Sequence, residues 1–309
     1  MRRWLIALLL LGVSPAFAQQ SAPVIAFDSV PNPLRLPSNI YFGEVTGISL
    51  NSKGHVFVLS RGNTSGPAYA AAATQLLEFD AKGQFIREIG KNLYAWSFGH
   101  TVKVDASDNI WVTDKGSDMV IKFDPEGRVA MVFGRKQEAS DEDTAPLKHP
   151  KPPLPPEDGR FRQVTDVAWD KAGDTFISDG YINSRVAKVD KDGKFLRQFT
   201  IDVPVPNDAR PAIGKIPDEA MISRGTFAPG SPWAICITPP PRQVLYSSDA
   251  WPGRIYKLNL EGKVLGILGQ SGKQLKQFGW IHSMACPSEN VIWVAELLNW
   301  RAQKLILKP

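Results

Sequence analysis

The chain has 309 residues, a formal net charge of +5 and 43% hydrophobic residues, with 25 glycines and 25 prolines. Arg2 and Arg3 supply two of those charges, and the rest is too small and too evenly spread to argue for a nucleic-acid partner. No apolar run past residue 18 is long enough to span a membrane as a helix.

In chain order, Met1-Arg2-Arg3 precedes an apolar run from Trp4 to Val13 and a small-x-small site at Ala16-Phe17-Ala18. That pattern predicts a signal peptide over 1–18, one domain over 19–309, and a periplasmic or secreted protein. Val45 to Arg61 reads as a strand, a polar turn and a second strand. Gly99–Asp114, Val164–Asp179, Pro232–Asp249 and Ile281–Glu296 repeat it. Four of the units continue into a third strand, a Gly-containing turn and a fourth strand: Gln75 to Gly90, Met119 to Gly134, Arg185 to Phe199 and Arg254 to Gly269. Four short antiparallel strands per unit, recurring along the chain, predict an all-β fold, a β-propeller with five recognisable repeats.

The fifth unit stops after its third strand, Arg301 to Leu307. An open edge there would be exposed to pairing. Val24-Ile25-Ala26-Phe27 is expected to close the ring, with 24–28 paired against 302–307. Three insertions, Thr64–Thr74, Arg135–Gly159 and Asp202–Pro232, are expected on one face, which marks it as a binding face. Cys236 and Cys286 fall in adjacent columns of the aligned repeats, and adjacent strand positions point to opposite faces. Two separate buried thiols are therefore expected.

The first strands align Thr46, His100, Thr165, Trp233 and His282 in one column at the mouth of the central channel. Second-strand exits add Arg61 and Tyr181 on the same face. These groups suit a metal on His100 and His282, an anion on Arg61 and an acid or base at Tyr181. Histidines that only hydrogen-bond neighbours and water are the plainer alternative. The acidic column Asp114, Asp179, Asp249 and Glu296 is expected to bind backbone N–H groups rather than ligand.

The repeats resemble NHL-type propeller repeats. Arg61-Gly62, His100, the string Ser178-Asp179-Gly180-Tyr181-x-Asn183-Ser184-Arg185, and His282 resemble the lyase domain of peptidyl-α-hydroxyglycine α-amidating enzymes, with Trp111-Val112-Thr113-Asp114 in support. The resemblance implies a six-bladed propeller with zinc on histidines, here His100 and His282. It implies an arginine and a tyrosine, here Arg61 and Tyr181, that act on a C-terminal hydroxyglycine to release amide and glyoxylate. It also implies calcium on backbone carbonyls, for which Ile48 and Val102 stand in place, and a small carboxylate or peptide C-terminus as ligand. Three departures are visible. The family's third zinc histidine, in a Pro-His pair, has only Pro232-Trp233 as its counterpart. Trp280 and Ser283 flank His282 where the family has methionine and aspartate. A whole repeat is missing near Asp192-Gly193. The alternative is a non-catalytic propeller that binds a ligand or protein partner on its loop-rich face.

Overall fold

A computed structural model describes residues 22–62, 74–136, 158–181, 183, 185–199, 232–249 and 253–308. The segment Met1–Ala18 and nearly all of the three insertions lie outside those residues. Five four-stranded antiparallel sheets form the blades of a β-propeller. Blade 1 is β2 (Val45–Leu50), β3 (Val56–Ser60), β4 (Gln75–Phe79) and β5 (Phe85–Ile89). Blade 2 is β6 (Gly99–Val104), β7 (Ile110–Asp114), β8 (Met119–Phe123) and β9 (Val129–Phe133). Blade 3 is β10 (Asp166–Trp169), β11 (Thr175–Asp179), β12 (Arg185–Val189) and β13 (Phe195–Phe199). Blade 4 is β14 (Pro232–Ile237), β15 (Leu245–Asp249), β16 (Ile255–Leu258) and β17 (Val264–Leu268). A two-residue parallel pair, β18 (Gln270–Ser271) with β19 (Gln277–Phe278), links it to blade 5. Blade 5 is β20 (Ile281–Ser288), β21 (Val291–Glu296) and β22 (Arg301–Leu307), completed by β1 (Phe27–Val30). No helix among the described residues is long and apolar enough to cross a membrane.

The same local chemistry builds each blade. The turns between third and fourth strands place Gly83, Gly127, Gly193 and Gly262 at φ of 78, 85, 87 and 86°. A side chain there would be strained. The residue opening each turn, Asp80, Asp124, Asp190 or Asn259, accepts from the N–H four positions on, at 2.7–2.8 Å. The innermost strands β2, β6, β10, β14 and β20 surround the axis. They approach so closely that a Cβ on Gly47 would lie 2.6 Å from the Val102 nitrogen.

Apolar residues pack between blades. One cluster joins blades 1 and 2 around Leu59, Leu76 and Phe123, and another joins blades 2 and 3 around Trp111, Phe133 and Ile177. Further clusters join blades 4 and 5 through Tyr246 and Ile292, and blades 5 and 1 through Trp293 and Phe79. Among the described residues no such cluster joins blade 3 to blade 4. There Ile235 and Ile237 of blade 4 are 56% and 51% exposed.

Two expectations are corrected. The N-terminal strand does close blade 5, but in another register: Phe27 faces Leu307 and Val30 faces Lys304. The residues before it lie instead on the outer edge of blade 4, where the Ile25 N–H donates to the Ile267 carbonyl at 2.8 Å. The cysteines are not separate, because Cys236 and Cys286 form a disulfide between β14 and β20. The column argument overlooked that neighbouring blades pack face to face. Ala234 and Cys236 of β14 and Met284 and Cys286 of β20 all turn into the core shared by blades 4 and 5, just as Ser49 of the Cys236 column meets Val104 of the Cys286 column between blades 1 and 2, so opposite facings bring the two sulfurs together.

Candidate functional site

The first-strand column closes on itself around the channel. The carbonyl of Thr165 lies 2.8 Å from His100 Nδ1, and that of Thr46 lies 2.6 Å from His282 Nδ1. A carbonyl only accepts, so each Nδ1 carries the hydrogen and each Nε2 keeps a lone pair. The two imidazoles meet edge to face with centroids 4.8 Å apart. Burial pushes His282 down to about 4, helped by the positive charge of Arg61. Burial, His282 and Arg61 together hold His100 well below the usual histidine range. Both rings are neutral near pH 7, the form that ligates metals.

Tyr181 stands edge-on to His100, with ring centroids 6.1 Å apart. Burial raises its phenol above the ordinary value, against the pull of Arg61. Trp233 lies 6.4 Å from His282 and 5.3 Å from Trp280. These groups line a cleft of about 290 Å³ that draws on blades 2, 3, 4 and 5. Lys103 and Asp166, 3.5 Å apart, lie at its rim.

Arg61 is close enough to set the field of the cleft but is committed elsewhere. Its Nη1 meets Glu44 Oε2 at 2.5 Å, its Nε donates to the Gly99 carbonyl at 3.1 Å, and its guanidinium lies 3.5 Å over the Phe98 ring. Glu44 holds the repeat position of Phe98 and Trp280, whose uncharged side chains gave no sign of an ion pair there. Lys115 is a second cation that the sequence reading passed over. It directly follows Asp114, as Arg61 follows Ser60, and that shared exit position was the available signal.

Ile48 and Val102 are buried on the neighbouring inner strands β2 and β6. Among the described residues no group of three or more His, Cys, Asp or Glu side chains is gathered where it could hold a metal ion. The acidic column behaves as structural chemistry requires. Asp114 accepts from the amides of Ser97, Phe98, Gly116 and Ser117. Asp179 binds the Arg162 amide and the Arg185 guanidinium, Asp249 the Arg254 amide, and Glu296 the Gly279 amide.

With this geometry in view, relatives can be compared. No known family profile matches the chain. A peptidyl-glycine alpha-amidating monooxygenase of Mus musculus is 30% identical over 176 residues, 51% of this chain and 16% of that protein. A probable peptidyl-alpha-hydroxyglycine alpha-amidating lyase of Caenorhabditis elegans is 28% identical over 172 residues, 51% of this chain and 44% of its own length. Peptidyl-alpha-hydroxyglycine alpha-amidating lyase 1 of Drosophila melanogaster is 29% identical over 180 residues, 52% of this chain and 29% of its own length. The chain resembles the amidating lyases. The match therefore spans less than half of each of these relatives. Among solved structures, an inactive virginiamycin B lyase of Staphylococcus aureus with quinupristin superposes with a TM-score of 0.51. It is 12% identical and covers 92% of this chain and all of that one, a likeness of fold.

Proposed function

We propose that the cleft under the His100–His282 pair cleaves the C–N bond of an N-acyl-α-hydroxyglycine, a small carboxylate or peptide end, releasing an amide and glyoxylate. The observation that carries this reading is the edge-to-face pair of neutral imidazoles with free Nε2 atoms, beside the Tyr181 ring. The likeness to amidating lyases supports it.

The two Nε2 lone pairs fit zinc as two of its ligands, each ring being oriented by its Nδ1–H donation to a carbonyl, as metal-bound histidines usually are. Catalytic zinc usually has three protein ligands. Bound there, zinc supplies Lewis acidity to a substrate oxygen. Tyr181, protonated near neutral pH, donates its hydroxyl hydrogen to the departing amide nitrogen and accepts the proton of the α-hydroxyl as the carbonyl of glyoxylate forms. Arg61 gives the cleft the positive potential that draws a carboxylate. Calcium on the carbonyls of Ile48 and Val102 remains part of the same proposal.

An exported location fits the Met1–Ala18 pattern and a disulfide between Cys236 and Cys286. Among the described residues two imidazoles and no third ligand are gathered, which favours, as the second reading, a propeller that binds a carboxylate without turning it over. Incubation with an N-acyl-α-hydroxyglycine, before and after metal chelation, separates the two. The lyase reading expects amide by mass spectrometry, lost on chelation and regained with zinc. Binding without product supports the scaffold.

A further inference from the structure

The outermost strand of each blade presents backbone N–H and C=O groups that a further strand could pair with. Among the described residues all but one of these edges are blunted. β5 carries Arg87 and Glu88, β13 carries Arg197, and β1 carries Asp28. β17 has no charge, but Pro23 and Ile25 lie along it. The Ile25 N–H donates to the Ile267 carbonyl at 2.8 Å, and the Ile267 N–H donates to the Pro23 carbonyl at 2.9 Å. β9 is the exception. Its residues Val129-Ala130-Met131-Val132-Phe133 include no charge, and among the described residues β8 alone pairs with it. Val129 and Val132 are 46% and 44% exposed. Met131 and Phe133 turn into the cluster shared with blade 3, so the strand itself is anchored.

The sequence of the edge suits a copy of itself. Residues 137–157 follow β9 and lie outside the described ones, but they carry Glu138, Asp141, Glu142, Asp143 and the proline run from Pro150 to Pro156. Acids and prolines are poor strand formers, and proline has no N–H to give a ladder. A second β9 set antiparallel about a two-fold axis at Met131 places Val129 of each copy opposite Phe133 of the other, and Ala130 opposite Val132. Such pairs are what stabilises neighbouring strands. The flanks agree. At one end Glu126 is exposed and lies 3.0 Å from Arg128. At the other end the Lys136 ammonium lies 3.4 and 3.5 Å from the carbonyls of Tyr94 and Trp96. The same axis brings Glu126 of each copy opposite Lys136 of the other, so opposite charges meet at both ends.

We propose that β9 is a dimerisation edge, which pairs antiparallel with β9 of a second copy of this chain. The sheet of blade 2 then runs on through the two-fold axis into blade 2 of the other copy. Because the patch meets itself, the contact closes at two copies. The cleft lies on the inner strands, away from this edge, so both copies keep it open.

Sedimentation velocity across a concentration series tests it. The expected result is a closed dimer that dissociates at about micromolar concentration or above, since one strand pair makes a small interface. Val132→Lys should weaken the dimer about tenfold or more, because a lysine on an edge strand opposes pairing. Ala130, also exposed, gives a second variant, Ala130→Lys, should the first fail to fold. Glu126→Lys should weaken the dimer several-fold, and adding Lys136→Glu should restore it, which reads the register of the pair. A protein that is monomeric at every concentration overturns the proposal, and so does a dimer that a folded lysine variant leaves unchanged. Deuterium exchange gives the remaining check. Protection of the β9 amides that do not pair with β8 should rise with concentration. Protection that is the same at every concentration would mean that the chain covers its own edge, and overturns the proposal as well.

Discussion

At His282 a single hydrogen bond sets the chemistry of the ring. The Thr46 carbonyl fixes the proton on Nδ1, and burial with Arg61 keeps the ring neutral. If the pair holds zinc, His100→Ala should abolish calorimetric binding, since one imidazole is left, while Arg61→Ala should spare it. Equal zinc affinity in wild type and His100→Ala would sink the metal proposal. Asp118 gives a pH prediction independent of the ligand. It accepts the Gln163 amide between blades 2 and 3, and burial pushes it up to about 7, with Asp179 and Asp114 adding to the rise and Arg162 opposing it. From the ordinary 3.8 up to about 7, the folded chain holds this proton and the unfolded chain does not. Its contribution to stability is therefore full below 3.8 and is lost as pH rises through about 7. Asp118→Asn keeps an acceptor and removes the titration. The Tm difference between pH 5 and pH 8 should narrow in that variant, and an unchanged difference would refute the assignment. The repeat columns made His100, His282 and the Thr46 and Thr165 positions legible. The Arg61–Glu44 pair was not legible, because Glu44 shares its repeat position with Phe98 and Trp280, which carry no charge to pair with a guanidinium. Lys115 was overlooked although its column was in view.

Strands and turns were the most readable elements. Each turn carries its own glycine and its own Asp or Asn acceptor, so local chemistry specifies the hairpin. Register across the closure was not readable, because the N-terminal segment divides between two blades. Val24 and Ile25 meet Ile267 of blade 4, and only Phe27–Val30 joins blade 5. Phe27 is 9% exposed in the core shared by blades 4 and 5. Phe27→Ala should cost about 3 kcal/mol, read as a lower Tm. A variant as stable as wild type would mean that the closing strand adds little. The disulfide escaped the sequence reading because residues that face opposite sides of their own sheets meet where two blades pack face to face. It ties Cys236 to Cys286 across 50 residues. Both strands it joins carry cleft residues, Trp233 to Ile235 and His282 to Met284. The double serine variant should lose about 2–4 kcal/mol in chemical denaturation under oxidising conditions. No loss would show that the packing around Tyr246 and Ile292 holds blade 4 unaided.

Among the described residues the molecule is a propeller of five blades packed by four inter-blade clusters. The resemblance to amidating lyases implies one blade more. The boundary without a described cluster lies between blades 3 and 4, and residues 200–231, which join them, lie outside the described ones. Blade 3 itself pairs regularly through β13 apart from one bulge, across the Asp192-Gly193 turn at which the resemblance places the missing repeat. Blade count was legible because each blade is a local unit. The channel mouth was legible because the repeats align its column. What the cleft accepts was not legible, because it depends on side chains converging from blades far apart in sequence. The most direct measurement is glyoxylate release from an N-acyl-α-hydroxyglycine by zinc-loaded wild type and by Tyr181→Phe. The lyase account predicts steady release by the wild type and about a hundredfold or greater loss in the variant. No glyoxylate above the uncatalysed rate, or equal release by both proteins, would contradict it.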